Sequence, residues 1–177
     1  MDKTVSLSYI LLEWGADVWL PALITAVIAY FCGCFNGAVI VSKYILRDDV
    51  RGHGSGNAGL TNFHRTFGGG LTFVVILCDV LKAVVALLVG VALFRSMVLD
   101  AQEVVVFAKY WAALFCLLGH MFPCMFQFKG GKGILSGGTI ALMVDWRIAL
   151  VVWKHRANIK RLLTGTESKF SLHKKKT

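Results

Sequence analysis

Between Val18 and Ile45 the chain carries no charged side chain except Lys43, near the end of the run. A helix needs about 20 apolar residues to cross a bilayer, so this run is long enough for one span. Two further runs follow: Leu71 to Phe94, interrupted by Asp79 and Lys82, and Val104 to Met121, with Lys109 near its start. A fourth, Ile134 to Trp153, holds Asp145 and Arg147 in its middle. Of the 177 residues 56% are hydrophobic and 16% charged, against roughly 25% charged in an average soluble domain. Mean hydropathy is +0.66. The chain reads as an all-α, polytopic helical membrane protein, a single integral-membrane domain over residues 1–177.

The net charge of +9 falls between the apolar runs. That pattern suits membrane orientation and small anionic ligands, and it argues against a nucleic-acid face. Lys43, Arg47, Arg51 and Arg65 mark the first connection, Lys129 and Lys132 follow the third run, and the tail 154–177 holds eight basic residues. Basic loops stay on the cytoplasmic side, so the N-terminus is expected outside and all three basic segments, tail included, in the cytoplasm. The N-terminal stretch has acids where a cleavable signal would keep its apolar core, so none is expected. Cys32, Cys34, Cys78, Cys116 and Cys124 form neither a disulfide framework nor a zinc pattern and read as small buried hydrophobes.

The stretch "GHGSGNAGLTN", residues 52–62, has the glycine spacing of a dinucleotide-binding turn, with Asp79 twenty residues after Gly59. Such a turn needs a buried strand before it and a crossover helix after it. Here a charged segment precedes, a membrane run follows, and Asp79 lies inside that run. The match is chance. The glycines still let backbone approach an anion, Arg65 can fork onto phosphate, and Ser55, Asn57, Thr61 and Asn62 add donors.

A second segment, "GHMFPCMFQFKGGKG" (119–133), sets Lys129 and Lys132 around Gly130 and Gly131, a lysine-bearing nest for phosphate oxygens. It is not a P-loop, because Phe126 replaces the first glycine and Gly133 the magnesium-binding hydroxyl. In a third, "KHRANIKRLLTGTESK" (154–169), His155 and Asn158 would share one helix face, although a basic helix held by anionic lipid has the same composition. Asp79 and Lys82 are either functional intramembrane charges or a mutually neutralising pair. His53, His64, His120 and His155 lack metal-like spacing with a carboxylate, and no metal site is expected.

In this order, "GSGNAGLTNFHR", "GHMFPCMFQFKGGKG" and "HRANIKRLLTGTESK" resemble the three signature motifs of the bacterial acyl-phosphate:glycerol-3-phosphate acyltransferase family, over roughly Leu20 to Phe170. The resemblance implies a seven-helix family fold, with fewer helices in this chain, in the bacterial inner membrane with its motifs facing the cytoplasm. It implies acyl transfer from fatty acyl phosphate to glycerol-3-phosphate, giving lysophosphatidic acid, with no cofactor and no metal. Ser55 and Arg65 would be essential in the first motif and His155 and Asn158 in the third. Asn57, Thr61, Asn62, His120 and Lys129 to Gly133 (with Gly130, Gly131 and Lys132) would bind substrate, and Glu167 would be structural. Membrane lipids are the remaining expected partner. Either His155 or the departing phosphate can take the hydroxyl proton.

Two departures stand out. The family separates its second and third motifs by enough sequence to cross and return, but here only the twenty residues Ile134–Trp153 intervene. That is one crossing at most, and a central Asp or Arg costs about 2.5–3.5 kcal/mol on insertion scales. The segment therefore lies at the interface, dips in and returns, or belongs to an internally shortened family member; the last is the favoured expectation. At "GCFNG" (33–37) the family commonly has a Gly-Ser-Ile-Pro-like turn. The alternatives are a non-catalytic shortened member binding phosphate or lipid headgroups, and a small anion transporter using Asp79 and Lys82.

Overall fold

The computed structural model describes residues 15–98 and 102–163, and no strand occurs among them. The described residues fall into two compact units, one within 1–144 and one within 145–177. The first contains α1 (Gly15–Cys34), α2 (Gly37–Ile40), α3 (Leu60–Phe67), α4 (Leu71–Met97), α5 (Gln102–Met121) and α6 (Ile134–Val144).

α4 and α5 realise the spans expected at 71–94 and 104–121, and among the described residues they are the two unbroken helices long and apolar enough to cross a membrane. The 27 residues of α4 rise about 40 Å at 1.5 Å each, more than the hydrocarbon thickness of about 30 Å. Phe73, Leu77, Leu81, Val85 and Leu88 line its exposed face, while Asp79, Lys82, Ala83, Ala86 and Gly90 are buried on the other. Apolar residues outside and charges inside invert the soluble pattern, as lipid solvation requires.

Between such helices there is no hydrophobic driving force, so close packing of small residues supplies the cohesion. Ala22, Ala26, Ala29 and Gly33 recur every three or four residues along α1 and are buried; Ala22 shares a core cluster with Ala108 of α5, Ala29 with Ala112 and Cys116, and Gly33 lies against Cys116. A side chain at Gly33 would run into the Cys116 carbonyl, and one at Gly119 into the Tyr30 carbonyl. Gly90 of α4 sits against Ala112 and Thr25 in the same way.

These contacts fix direction. Trp111 donates to the Ala22 carbonyl (2.8 Å), whereas Gly119 lies beside Tyr30 and Cys34, so α1 and α5 run parallel. α4 runs opposite, with Gly90 near Thr25 and Lys82 near Phe35. The connections 46–70 and 122–133 therefore emerge at the same end of the bundle.

The run 18–45, expected as one span, is a bent pair: Val18–Cys34 and Gly37–Ile45 meet at 44°. Asn36 makes the bend. Its side chain accepts from the Val39 N–H (3.2 Å) and caps α2, as helix-capping amides do. The Phe35 carbonyl, released from helical pairing, accepts from Lys82 (3.0 Å).

The doubtful segment 134–153 resolves into two short helices. α6 has 11 residues, about 16 Å, too short to cross. Ser136 Oγ donates to the Asp79 carbonyl (3.2 Å) and Lys109 Nζ to the Met143 carbonyl (3.2 Å), so α6 packs inside the bundle beside α4 and α5.

The second unit holds α7 (Ile148–Lys154) and α8 (Arg156–Leu163). Asp145 and Arg147, costly if placed mid-span, form an exposed ion pair at 2.7 Å where the chain breaks. The pairing lowers the Asp145 carboxyl and raises the Arg147 guanidinium from their ordinary values. Arg156 lies 4.5 Å over the Trp153 ring, a cation–π contact.

Candidate functional site

The first motif is a loop ordered by one buried amide. Asn62, in the first turn of α3, accepts from the Ser55 N–H (3.1 Å) and donates to the carbonyls of Val50 and His53 (3.0 Å each). Buried polar groups must be paired, and here a single side chain satisfies three backbone groups. Both amide protons and the carbonyl oxygen of Asn62 are therefore engaged in organising the loop. Asn36 holds the far end by donating to the Ala58 carbonyl (2.9 Å).

The second motif doubles back at Gln127 (φ 60°) and Phe128 (φ 58°), both in the left-handed region that side chains seldom adopt. The Gly130 and Gly131 N–H groups donate to the carbonyls of Met121 and His120, 3.1 Å each. Those carbonyls belong to the last turn of α5, which has no helical donors left for them. A nest of free glycine amides was the expectation for phosphate; these two amides instead close the helix end. Close approach is why glycine is required here, since a Cβ on Gly131 would collide with the Ala58 carbonyl and His120 Nε2.

The two loops are joined. Arg51 donates to the Phe126 carbonyl (2.7 Å) and the Lys129 carbonyl (3.4 Å), and it is anchored by Asp49 at 2.7 Å. Tyr30 Oη ties α1 to the second loop through the Phe122 carbonyl (2.7 Å). Arg51 and Asn36 were not among the expected site residues. Arg51 was visible only as one more basic residue, and Asn36 only as a departure at "GCFNG".

The joined loops present their functional side chains outward. Ser55, Thr61, Arg65, Lys129 and Lys132 are exposed. Among the described residues the side chains of Arg65, Lys129 and Lys132 have no hydrogen bond or ion pair. Thr61 and Arg65 are four apart on α3, hence on one face. Asn57 is half-buried and its amide abuts Gly59. Unpaired cations on constrained loops can bind an anion without first breaking a protein contact. Gly133 is buried with φ 71°. His120 is buried at the end of α5, beside Lys82 and Asp79, so the expected alternative of a mutually neutralising pair is realised at 2.7 Å.

The third motif lies in the second unit. His155 is exposed, and its Nδ1–H donates to the Val151 carbonyl (2.8 Å), since a carbonyl can only accept. The neutral ring then carries its open lone pair on Nε2. The backbone of Asn158 is in α8, and Glu167 lies outside the described residues.

Two expected results follow. Gly131→Ala should weaken binding of a small phosphate anion about tenfold or more, because a loop that cannot close displaces its lysines, a loss on the scale of one hydrogen bond to a charged group. Circular dichroism of the purified variant should keep its helical content, since the collision is with one loop carbonyl and the His120 ring at the very end of α5. Asp49 is held below its usual 3.8 mainly by its hydrogen bonds from Arg51. A depressed carboxylate contributes stability fully above its unfolded value and loses it only as pH falls through the lower folded one. The latch should stay intact across neutral and mildly acidic pH, with the Asp49 carboxyl 13C resonance titrating below 3.8 and moving upward in Arg51→Gln.

Residues 23–153 match the sequence model of the glycerol-3-phosphate acyltransferases. The glycerol-3-phosphate acyltransferase of Thermoanaerobacter pseudethanolicus is 32% identical over 198 aligned positions, covering 84% of this chain and 95% of the relative. That of Clostridioides difficile is 32% identical, covering 86% and 97%. Among solved structures, PlsY, an integral membrane glycerol 3-phosphate acyltransferase in its glycerol 3-phosphate form, superposes with a TM-score of 0.59 at 26% identity. The match covers 85% of this chain and 96% of that one. The 198 aligned positions exceed this chain's 177 residues, so these relatives carry residues it lacks. The chain belongs to the glycerol-3-phosphate acyltransferase family.

Proposed function

We propose that this chain transfers a fatty acyl group from acyl phosphate to glycerol-3-phosphate, releasing 1-acyl-glycerol-3-phosphate and phosphate. The observation that carries the reading is the pair of loops latched by Arg51, which present Arg65, Lys129 and Lys132 exposed and unpaired. Family membership supplies the acyltransferase class.

Both substrates are phosphates, and their mutual repulsion is the first obstacle. Fixed cations offset it, with Arg65 forking two oxygens and Ser55 and Thr61 adding hydroxyl donors. An acyl phosphate is an activated mixed anhydride. Once aligned, the glycerol hydroxyl oxygen bonds to the acyl carbon, the bond from that carbon to the phosphate oxygen breaks, and phosphate leaves with the electron pair. The departing phosphate is itself a base strong enough to take the hydroxyl proton. His155 and Asn158 enter through the motif resemblance alone.

The acyl chain stays in the hydrocarbon. An apolar groove of about 480 Å³ along α1 and α5, lined by Leu23, Ala26, Val27, Phe31, Trp111 and Phe115, is open to it. The protein resides in a bacterial inner membrane with the loop end facing the cytoplasm, as the basic loops favour.

The test supplies purified protein in lipid with radiolabelled glycerol-3-phosphate and either acyl phosphate or acyl-CoA. Labelled 1-acyl-glycerol-3-phosphate from acyl phosphate alone is the expected result; product from acyl-CoA alone would sink the donor assignment. A second reading, a non-catalytic member that binds glycerol-3-phosphate, draws on the residues this chain lacks relative to its relatives, and binding without turnover would mark it.

A further inference from the structure

Beneath the loops lies a charged cluster that the proposed transfer does not use. Asp79, Lys82 and His120 are 2%, 6% and 2% exposed, inside the helical bundle. An ammonium has three protons, and Lys82 commits all three: to Asp79 Oδ1 at 2.7 Å, the Phe35 carbonyl at 3.0 Å and His120 Nδ1 at 2.6 Å. Asp79 Oδ1 also faces the Gly37 N–H at 3.4 Å. Lys82 therefore has no proton to spare for a ligand, which also speaks against an anion path through this pair.

The consequence falls on His120. A nitrogen that accepts from an ammonium carries no hydrogen, so the neutral ring holds its proton on Nε2. Nε2 is the atom that faces Gly131, close enough that a Cβ there would collide with it. Here the second loop turns toward Lys132 and Gly133. A nitrogen fixed as N–H donates and cannot act as a base.

We propose that Asp79 and Lys82 are positioning residues for His120: by occupying its Nδ1 they hold the Nε2–H toward the glycine loop as a hydrogen-bond donor to a phosphate oxygen of glycerol-3-phosphate. This rests on the function proposed above and adds a donor whose tautomer is set by a buried ion pair. The glycine amides that were expected in that role are spent on closing α5.

The test uses the full chain in lipid nanodiscs with 15N-labelled histidine. In the wild type, His120 should show a bare Nδ1 and a protonated Nε2, whose resonances lie far apart, and glycerol-3-phosphate should shift the Nε2 signal. Removing Lys82 alone would strand a buried carboxylate and can unfold the protein, so the informative variant is Asp79→Asn/Lys82→Met, which removes both charges. It should show mixed tautomers and a KM for glycerol-3-phosphate raised about tenfold or more, the scale of one hydrogen bond to a charged ligand. The kcat should move much less, and Lys82→Arg should restore the tautomer. A protonated Nδ1 in the wild type, or an Nε2 signal indifferent to bound glycerol-3-phosphate while transfer proceeds, overturns the proposal and leaves the function standing. Wild-type protein that neither binds nor acylates glycerol-3-phosphate overturns the function, and the positioning role with it.

Discussion

Arg65→Ala is expected to abolish acyl transfer, by about a hundredfold or more, while the protein stays folded and in the membrane. The guanidinium is exposed on α3 and has no partner among the described residues, so its removal leaves no protein group unsatisfied and should be neutral for stability. What it removes is a planar fork matched to phosphate, and preorganised donors at a reacting anion are worth roughly two to three powers of ten. Arg65→Lys keeps the charge but not the two-point geometry, and it should fall in between. Ser55→Ala should behave like Arg65→Ala. The check is transfer of label from glycerol-3-phosphate into lipid, alongside thermal unfolding of each variant. Full activity in both purified alanine variants would falsify the site assignment.

Gly119→Val should do the opposite, destroying the fold while touching no proposed substrate contact. The position faces the Tyr30 carbonyl and the Cys34 N–H of α1, and both are backbone that cannot rotate away. Relief requires α1 and α5 to move apart along their shared line of small residues. Overpacked cores lose typically 1–3 kcal/mol through side-chain shifts, and a backbone collision should reach or exceed about 3 kcal/mol. Thermal unfolding in detergent, followed by circular dichroism, should show a large drop in midpoint. The matched control is Gly138→Ala in α6, where a Cβ meets nothing within 4 Å. There alanine should be neutral or stabilising by up to about 1 kcal/mol. Equal behaviour of the two substitutions would mean that α1 and α5 do not pack as described.

Much of the site was legible because its chemistry lies in residue types. Exposed cations and hydroxyls among glycines point to an anion whatever their exact placement, and Ser55, Thr61, Arg65, Lys129 and Lys132 do stand exposed. The amide groups were misread for a definite reason. Whether a backbone N–H is free depends on which carbonyl is nearby, and the carbonyls that take the Gly130 and Gly131 protons belong to the end of α5. Arg51 was equally opaque, because a basic residue before a glycine loop looks the same whether it greets substrate or latches onto Phe126 seventy-five positions away.

By itself the sequence determined the all-helical membrane class, the positions of α4 and α5, and the family, since uncharged length and ordered motifs are properties of the linear chain. The tertiary structure decided which end the loops share, through small-residue contacts that set α1 and α5 parallel. It decided that the first run bends at Asn36, because a buried amide there finds Val39 and Ala58. It also decided that Asp79 and Lys82 neutralise each other beside His120. Charge pairing and backbone proximity are relations between distant residues, and only folding brings their partners within reach.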